Sequence, residues 1–160
     1  MKKKLLILCT IFTLLDQIVK MIIKKTIKLG VEKKIISGFF YITNIKNSGG
    51  AFSILSNNTV LLAFIGIISI IFFVTYVLKA EKLSFIEATL YSMLIGGIIG
   101  NLIDRIFFGG VYDYLGFIFG KYYFPVFNLA DIFIVISIFT LLLMEVCGDK
   151  YGIKGKKEWY

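Results

Sequence analysis

The stretch Phe124–Phe139, FPVFNLADIFIVISIF, contains one ionisable residue, Asp131. Phe, Ile, Val and Leu surround it, and the apolar run continues almost unbroken to Glu145. A carboxyl in the hydrocarbon of a bilayer costs about 2.5–3.5 kcal/mol on insertion scales. A run this long and apolar reads as a membrane span, and no cation lies within a helical turn of Asp131 on its own segment. An acid kept there without a local partner points to function rather than packing.

Three further runs approach the ~20 residues that cross a bilayer core of about 30 Å. The four spans lie at about Leu5–Ile23, Val60–Leu78, Phe85–Ile103 and Val126–Val146. With 58% apolar residues and a single Pro, the sequence predicts an all-α membrane bundle of four transmembrane helices, with residues 1–160 forming one polytopic membrane domain. The net charge of +8 fits anionic headgroups and topology. No basic patch with interleaved aromatics suggests nucleic acid, so membrane lipids are expected as partners and nucleic acid is not. The start MKKKLLILCTIFTLL imitates a secretory signal, but no small-x-small site follows and the run continues through Asp16 and Gln17. It reads as a retained first span. Two cysteines, Cys9 and Cys147, with no His make no metal site, and a disulfide is not expected at the end of the bundle where they fall.

Four spans place both termini on one side. Lysine counts on the two sides are close, but the positive-inside rule weighs short loops and flanks most heavily. Lys79 and Lys82 in the short KAEKLS turn, Lys2–Lys4 and the basic tail from Lys150 favour cytoplasmic termini. The outer segments are then about 24–59 and 104–125. Lys33–Leu55, KKIISGFFYITNIKNSGGAFSIL, is rich in β-branched and aromatic residues with Gly punctuation, which predicts a small extracytoplasmic β-rich segment at the membrane surface. Phe107–Phe124, FFGGVYDYLGFIFGKYYF, predicts an interfacial aromatic loop or a short amphipathic helix in the headgroup belt.

Depth then groups the polar residues. Asp16 and Lys20 fall in the outer part of span one, and Asn101, Asp104 and Arg105 at the outer end of span three. Asn128 and Asp131 fall at the outer start of span four, Asp131 about 8 Å in at 1.5 Å per residue. Residues three or four apart share a helix face, so three spans bring polar groups to one level. Plainer readings exist: Lys20 could snorkel with Asp16 beside it, and Arg105 could anchor a span end with Asp104 as partner. Gly96, Gly97 and Gly100 read best as close helix packing. Asp113, flanked by Tyr112 and Tyr114, stands open between a solvated loop acid and a partly desolvated functional one.

Carboxylates are the abundant reactive group. There is no His, no Cys–base pair and no phosphate-cradling loop, and Ser48 and Ser53 near Lys46 are only a weak Ser–Lys candidate. Two carboxyls held close share a proton; one can act as base on water while the other donates to the carbonyl under attack. That chemistry hydrolyses amides without metal or cofactor. The alternatives are a proton- or cation-coupled transporter, against which stand the lack of an inverted repeat and of a broken helix pair, and a non-catalytic lipid-binding or assembly protein.

The motifs DQIVK (Asp16–Lys20), NSGGAF (Asn47–Phe52), GGIIGNLIDR (Gly96–Arg105), GGVYDYL (Gly109–Leu115) and FPVFNLAD (Phe124–Asp131) occur in an order that resembles lipoprotein signal peptidase, the signal peptidase II family of bacterial aspartic membrane proteases. The resemblance runs from the first span to the last. It implies a catalytic pair at Asp113 and Asp131, with Asn47, Asn101, Arg105 and Asn128 holding substrate backbone or orienting the pair. It implies supporting roles for Asp16, Lys20, Asp104, Gly49, Gly100 and Ala130, with no metal and no cofactor. The implied substrate is a diacylated prolipoprotein, cut on the N-terminal side of its lipidated Cys. The implied setting is the bacterial cytoplasmic membrane, with a monomeric enzyme whose active site lies near the outer face. Gly50 stands where the family more often has Ala, and Tyr114 where it more often has Phe.

Overall fold

Four long helices and a four-stranded sheet are found among the described residues. The structure, a computed structural model, describes residues 2–50, 54–80 and 83–151. The helices are α1 (Lys2–Thr26), α2 (Thr59–Lys79), α3 (Phe85–Phe108) and α4 (Leu129–Tyr151). Each is long and apolar enough to cross a membrane, as the hydropathy pattern predicts. Their outward faces are apolar: Leu6, Phe64, Phe72, Phe139 and Val146 are all exposed, which suits lipid contact rather than water.

The central helix is α3, packed on α1, α2 and α4. It begins at a capping box: Ser84 Oγ accepts from Glu87 N (3.2 Å) and Glu87 Oε2 accepts from Ser84 N (2.7 Å). It ends at Gly109, whose φ of 67° is the left-handed cap that a side chain disfavours. Between these ends, Gly96 and Gly100 face α1 and Gly97 faces α4. A methyl at Gly96 would stand 2.8 Å from Phe12 Cβ, and one at Gly97 would stand 2.8 Å from Ala130 O. These glycines let two neighbours approach α3 on different sides.

The sheet has strand order β1-β2-β3-β4 and is antiparallel throughout, with β1 (Glu32–Ile36), β2 (Phe40–Asn47), β3 (Val111–Phe119) and β4 (Tyr122–Phe127). The α2–α3 pair is inserted between β2 and β3. The Phe107–Phe124 segment is therefore neither a loop nor an amphipathic helix. Its first two residues finish α3, Gly109 and Gly110 link to the sheet, and the remainder belongs to the β3–β4 hairpin, turned at Gly120 with φ 65°. The segment VYDYLGFIF, rich in aromatic and β-branched residues, pairs with β2 and buries Val111, Asp113 and Tyr114. Tyr41 of β2 lies over Gly116 of β3, filling the space a side chain there would need.

A bulge in β2 between Ile42 and Ile45 aims Thr43 and Asn44 at the end of α1. Thr43 Oγ1 donates to Val31 O (3.0 Å), and Asn44 Nδ2 donates to Ile27 O (2.8 Å). Gly30 N returns a bond to Asn44 O (2.8 Å). The sheet is thus fixed to one end of the bundle, where the polar residues gather.

Candidate active site

The segment FNLAD folds into the start of α4 by a reciprocal cap. Asp131 N donates to Asn128 Oδ1 (3.0 Å), and Asn128 N donates to Asp131 Oδ2 (3.2 Å). This is the capping-box arrangement, with Asn128 just before the helix and Asp131 in its first turn. It also fixes the Asn128 amide: a backbone N–H can only donate, so Oδ1 faces it and Nδ2 points away. That Nδ2 donates to Asp113 Oδ1 (2.6 Å). One asparagine therefore touches both aspartates.

The other two asparagines are oriented in the same way. Asn47 Oδ1 accepts from Gly49 N (2.8 Å), which turns its Nδ2 toward Asp113 Oδ2 (2.9 Å). Asn101 Oδ1 accepts from Lys20 Nζ (2.9 Å), which turns its Nδ2 toward Asp131 Oδ1 (2.8 Å). All four carboxylate oxygens of the pair thus accept N–H bonds, from β2, α3 and the β4–α4 junction.

Beneath the pair lies a buried ionic cluster. Lys20 Nζ is 2.8 Å from Asp16 Oδ2 and 2.9 Å from Asp104 Oδ2, and all three side chains are fully buried. Asp16 Oδ1 accepts from Ala130 N (3.0 Å) and Asp104 Oδ2 accepts from Tyr112 N (3.2 Å). The cluster ties α1 to the start of α4 and α3 to the strand that carries Asp113. Gly100 has no room for a side chain, because a Cβ there would meet the Asp16 carboxylate. Gly100→Ala is expected to cost about 1–3 kcal/mol, as overpacking does in tight cores, read as a lower unfolding midpoint in detergent.

Arg105 is held loosely by comparison. Its Nη2 donates to Gly49 O (3.3 Å) and its Nη1 to Asn101 O (3.4 Å), while Nε is buried without a partner among the described residues. Burial, then the charge of Asp131, pushes Asp113 up to about 7, against the opposing pull of the Asn47 and Asn128 bonds.

Asp113, Asp131, Asn47, Asn101 and Arg105 line an open cleft of about 800 Å³. Its other wall is apolar, with Phe124, Pro125, Phe127 and Val135 among its residues. Asp16, Lys20, Asp104, Asn128, Gly49, Gly100 and Ala130 do not line it; they pack behind the wall. Ser48 Oγ is engaged with Asn57 Oδ1 (3.2 Å), and no lysine is among its hydrogen-bond partners. Ser53, Ala51 and Phe52 lie outside the described residues. Two contributors escape a reading of the sequence by charge. Gln17 Nε2 donates to Gly100 O (3.0 Å) and reaches Asp16 and Asp104 (3.3 Å each). Tyr114 Oη accepts from Leu129 N (3.0 Å). The signal for Gln17 was its polarity inside an apolar span; Tyr114 gave none beyond an aromatic ring.

A family model described as signal peptidase (SPase) II matches residues 8–147. The chain belongs to the signal peptidase II family. Among its relatives, the lipoprotein signal peptidase of Halothermothrix orenii is 39% identical over 146 residues, covering 91% of this chain and 97% of that protein. That of Bacillus pumilus is 34% identical over 144 residues, covering 90% and 93%. A bacterial membrane enzyme solved by the in meso method at 2.3 Å superposes with a TM-score of 0.82 at 30% identity, covering 99% of this chain and 95% of that one. A second, at 1.9 Å, gives 0.77 at 31% identity, covering 89% and 92%. Signal peptidase II is a protease family, so this chain is a membrane protein with a proteolytic pedigree and four helices able to span.

Proposed function

We propose that the chain is an aspartic endopeptidase that removes signal peptides from diacylglyceryl-modified prolipoproteins, cutting N-terminal to the lipidated Cys. The observation that carries this reading is the Asn128 amide, which joins Asp113 to the capping box that holds Asp131, so that both carboxyls face one cleft. In the working form the pair shares one proton. One carboxylate takes a proton from water as the water oxygen bonds to the scissile carbonyl carbon. The protonated partner donates to the carbonyl oxygen. The C–N bond then breaks and the proton taken from water passes to the departing amine of the Cys. Arg105 lines the cleft with only long bonds of 3.3 and 3.4 Å from its Nη atoms, which suits it to take a substrate carbonyl, and the apolar wall suits the lipid and signal segments.

The same reading places the chain in the bacterial cytoplasmic membrane as one polytopic domain with both termini cytoplasmic. The sheet and the aspartate pair then lie near the outer face, as the depth of Asp16, Asn101 and Asp131 in their spans suggests. Purified protein in detergent with a synthetic diacylated prolipoprotein is expected to yield a smaller product on a gel. A substrate left intact over prolonged incubation would overturn the assignment.

The pH profile carries a second test. The proton held near Asp113 is lost as pH rises through about 7, so kcat/KM is expected to fall on the alkaline side of that value. Asn47 donates to the charged form of Asp113. Asn47→Leu removes that bond, which favours the protonated form, so the alkaline limb should move to higher pH while turnover drops. A limb that stays or moves down contradicts the role given to Asn47.

A further inference from the structure

From Lys24 to Lys46 the chain carries six lysines and one carboxylate, Glu32. Lys24 is occupied: its Nζ lies 3.9 Å from the Phe108 ring centre and 4.5 Å from that of Tyr112. Lys25, Lys28, Lys33 and Lys34 are exposed, and among the described residues no carboxylate forms an ion pair with any of them. They are not scattered along a loose arm. The bonds from Thr43, Asn44 and Gly30 fasten the end of α1 and the approach to β1 to the β2 bulge. The four lysines therefore belong to one fastened corner of the fold, with Lys33 and Lys34 on opposite faces of the β1 edge.

That corner is also apolar. Leu29, Val31, Ile35, Ile36 and Phe39 are all exposed there, Leu29 at 63%. The pairing register extends the apolar surface across the sheet: Ile36, Phe40, Phe117 and Phe124 form one cross-strand row, with Ile42, Leu115 and Phe127 in the next. Ring contacts such as Phe40–Phe117 at 4.9 Å and Phe117–Phe127 at 5.8 Å confirm the shared face. Lys34, Tyr41 and Gly116 belong to the opposite face. A half-exposed apolar sheet face with an exposed apolar edge, bordered by lysines that no carboxylate among the described residues pairs, suits a bilayer surface and not bulk water.

We propose that the end of α1 and the β1 edge form a binding surface for anionic phospholipid, with Lys25, Lys28, Lys33 and Lys34 meeting the headgroup phosphates while Ile35, Ile36 and Phe39 enter the acyl region. Charge decides the class of lipid: four unpaired cations against one nearby Glu32 favour an acidic headgroup over a zwitterionic one. The partner is bilayer phospholipid rather than the lipid of a prolipoprotein, because a diacylglyceryl group carries no phosphate. Lysines that only protect an edge strand from mispairing would leave the lipid composition around the protein unchanged, which separates the two explanations.

The test uses the full chain reconstituted in phosphatidylcholine, with spin-labelled phosphatidylglycerol or phosphatidylcholine as probe. Electron paramagnetic resonance reads the fraction of each probe immobilised at the protein. The wild-type protein is expected to retain phosphatidylglycerol several-fold more strongly than phosphatidylcholine at low salt, and less so at high salt. The variant Lys25→Gln/Lys28→Gln/Lys33→Gln/Lys34→Gln, altered only at exposed positions, should bring the ratio close to one. Lys33→Glu with Lys34→Glu should lower it further than Lys33→Gln with Lys34→Gln. A wild-type ratio of one, or a ratio the glutamine variant leaves unchanged, overturns the proposal. The readout needs no proteolysis, and Asp113→Asn should keep the full lipid preference, so this surface and the peptidase reading stand or fall separately.

Discussion

Asp113→Asn and Asp131→Asn are each expected to lower prolipoprotein cleavage by about 10²–10⁴-fold, the range that a positioned acid or base supplies. An amide in either place can neither take a proton from water nor share one with its partner. The two substitutions are nearly isosteric, and every carboxylate oxygen at stake accepts an N–H bond. Replacing one oxygen by NH₂ sets a donor against a donor, so a modest loss of stability accompanies the loss of activity. The measurement is therefore paired: cleavage of a diacylated prolipoprotein by gel shift, and an unfolding midpoint for the same sample. A folded variant that cleaves at the wild-type rate removes that aspartate from the chemistry.

The largest structural effect is expected at Lys20. Its ammonium is fully buried between Asp16 and Asp104, at 2.8 and 2.9 Å. Lys20→Met leaves two fully buried carboxylates with no cation, and breaking a buried pair in this way costs about 3–5 kcal/mol. It also frees the Asn101 amide, whose orientation toward Asp131 depends on Lys20 as an obligate donor. Lys20→Met combined with Asp16→Asn and Asp104→Asn removes the unpaired charge and should recover much of the stability. Activity should not return with it, because Asn101 Oδ1 has then lost the Lys20 donor that holds its Nδ2 on Asp131. A triple variant both stable and fully active would show that the buried charges serve stability alone.

Much of this was legible in the sequence because lipid makes polarity expensive. Asp16, Lys20, Asn101, Asp104, Arg105, Asn128 and Asp131 each stand out in an apolar run, and depth alone places them at one level. The helices follow for the same reason: in hydrocarbon each backbone group must be paired within its own segment. Outside the spans that discipline relaxes. Asp113 sits in a strand whose aromatic neighbours suit a membrane-surface loop equally well, and its place beside Asp131 depends on β2–β3 pairing across the whole α2–α3 insertion. Contacts of that kind are set by register and carry no local signature. Tyr114 shows the same limit from the other side. In so aromatic a segment its hydroxyl reads as incidental until its bond to Leu129 N at the start of α4 is seen.

The bond from Ala130 N to Asp16 Oδ1 joins residues 114 positions apart. One partner lies in α1 and the other in the first turn of α4. Until α4 is inserted, Asp16 and Lys20 face no completed site, Asp113 lacks the Asn128 amide, and Asp131 is absent from the membrane altogether. A chain stalled before α4 thus lacks half of the proposed pair. On the proposed reading, α4 closes the site: the aspartate pair is complete only once α4 has met α1 and α3.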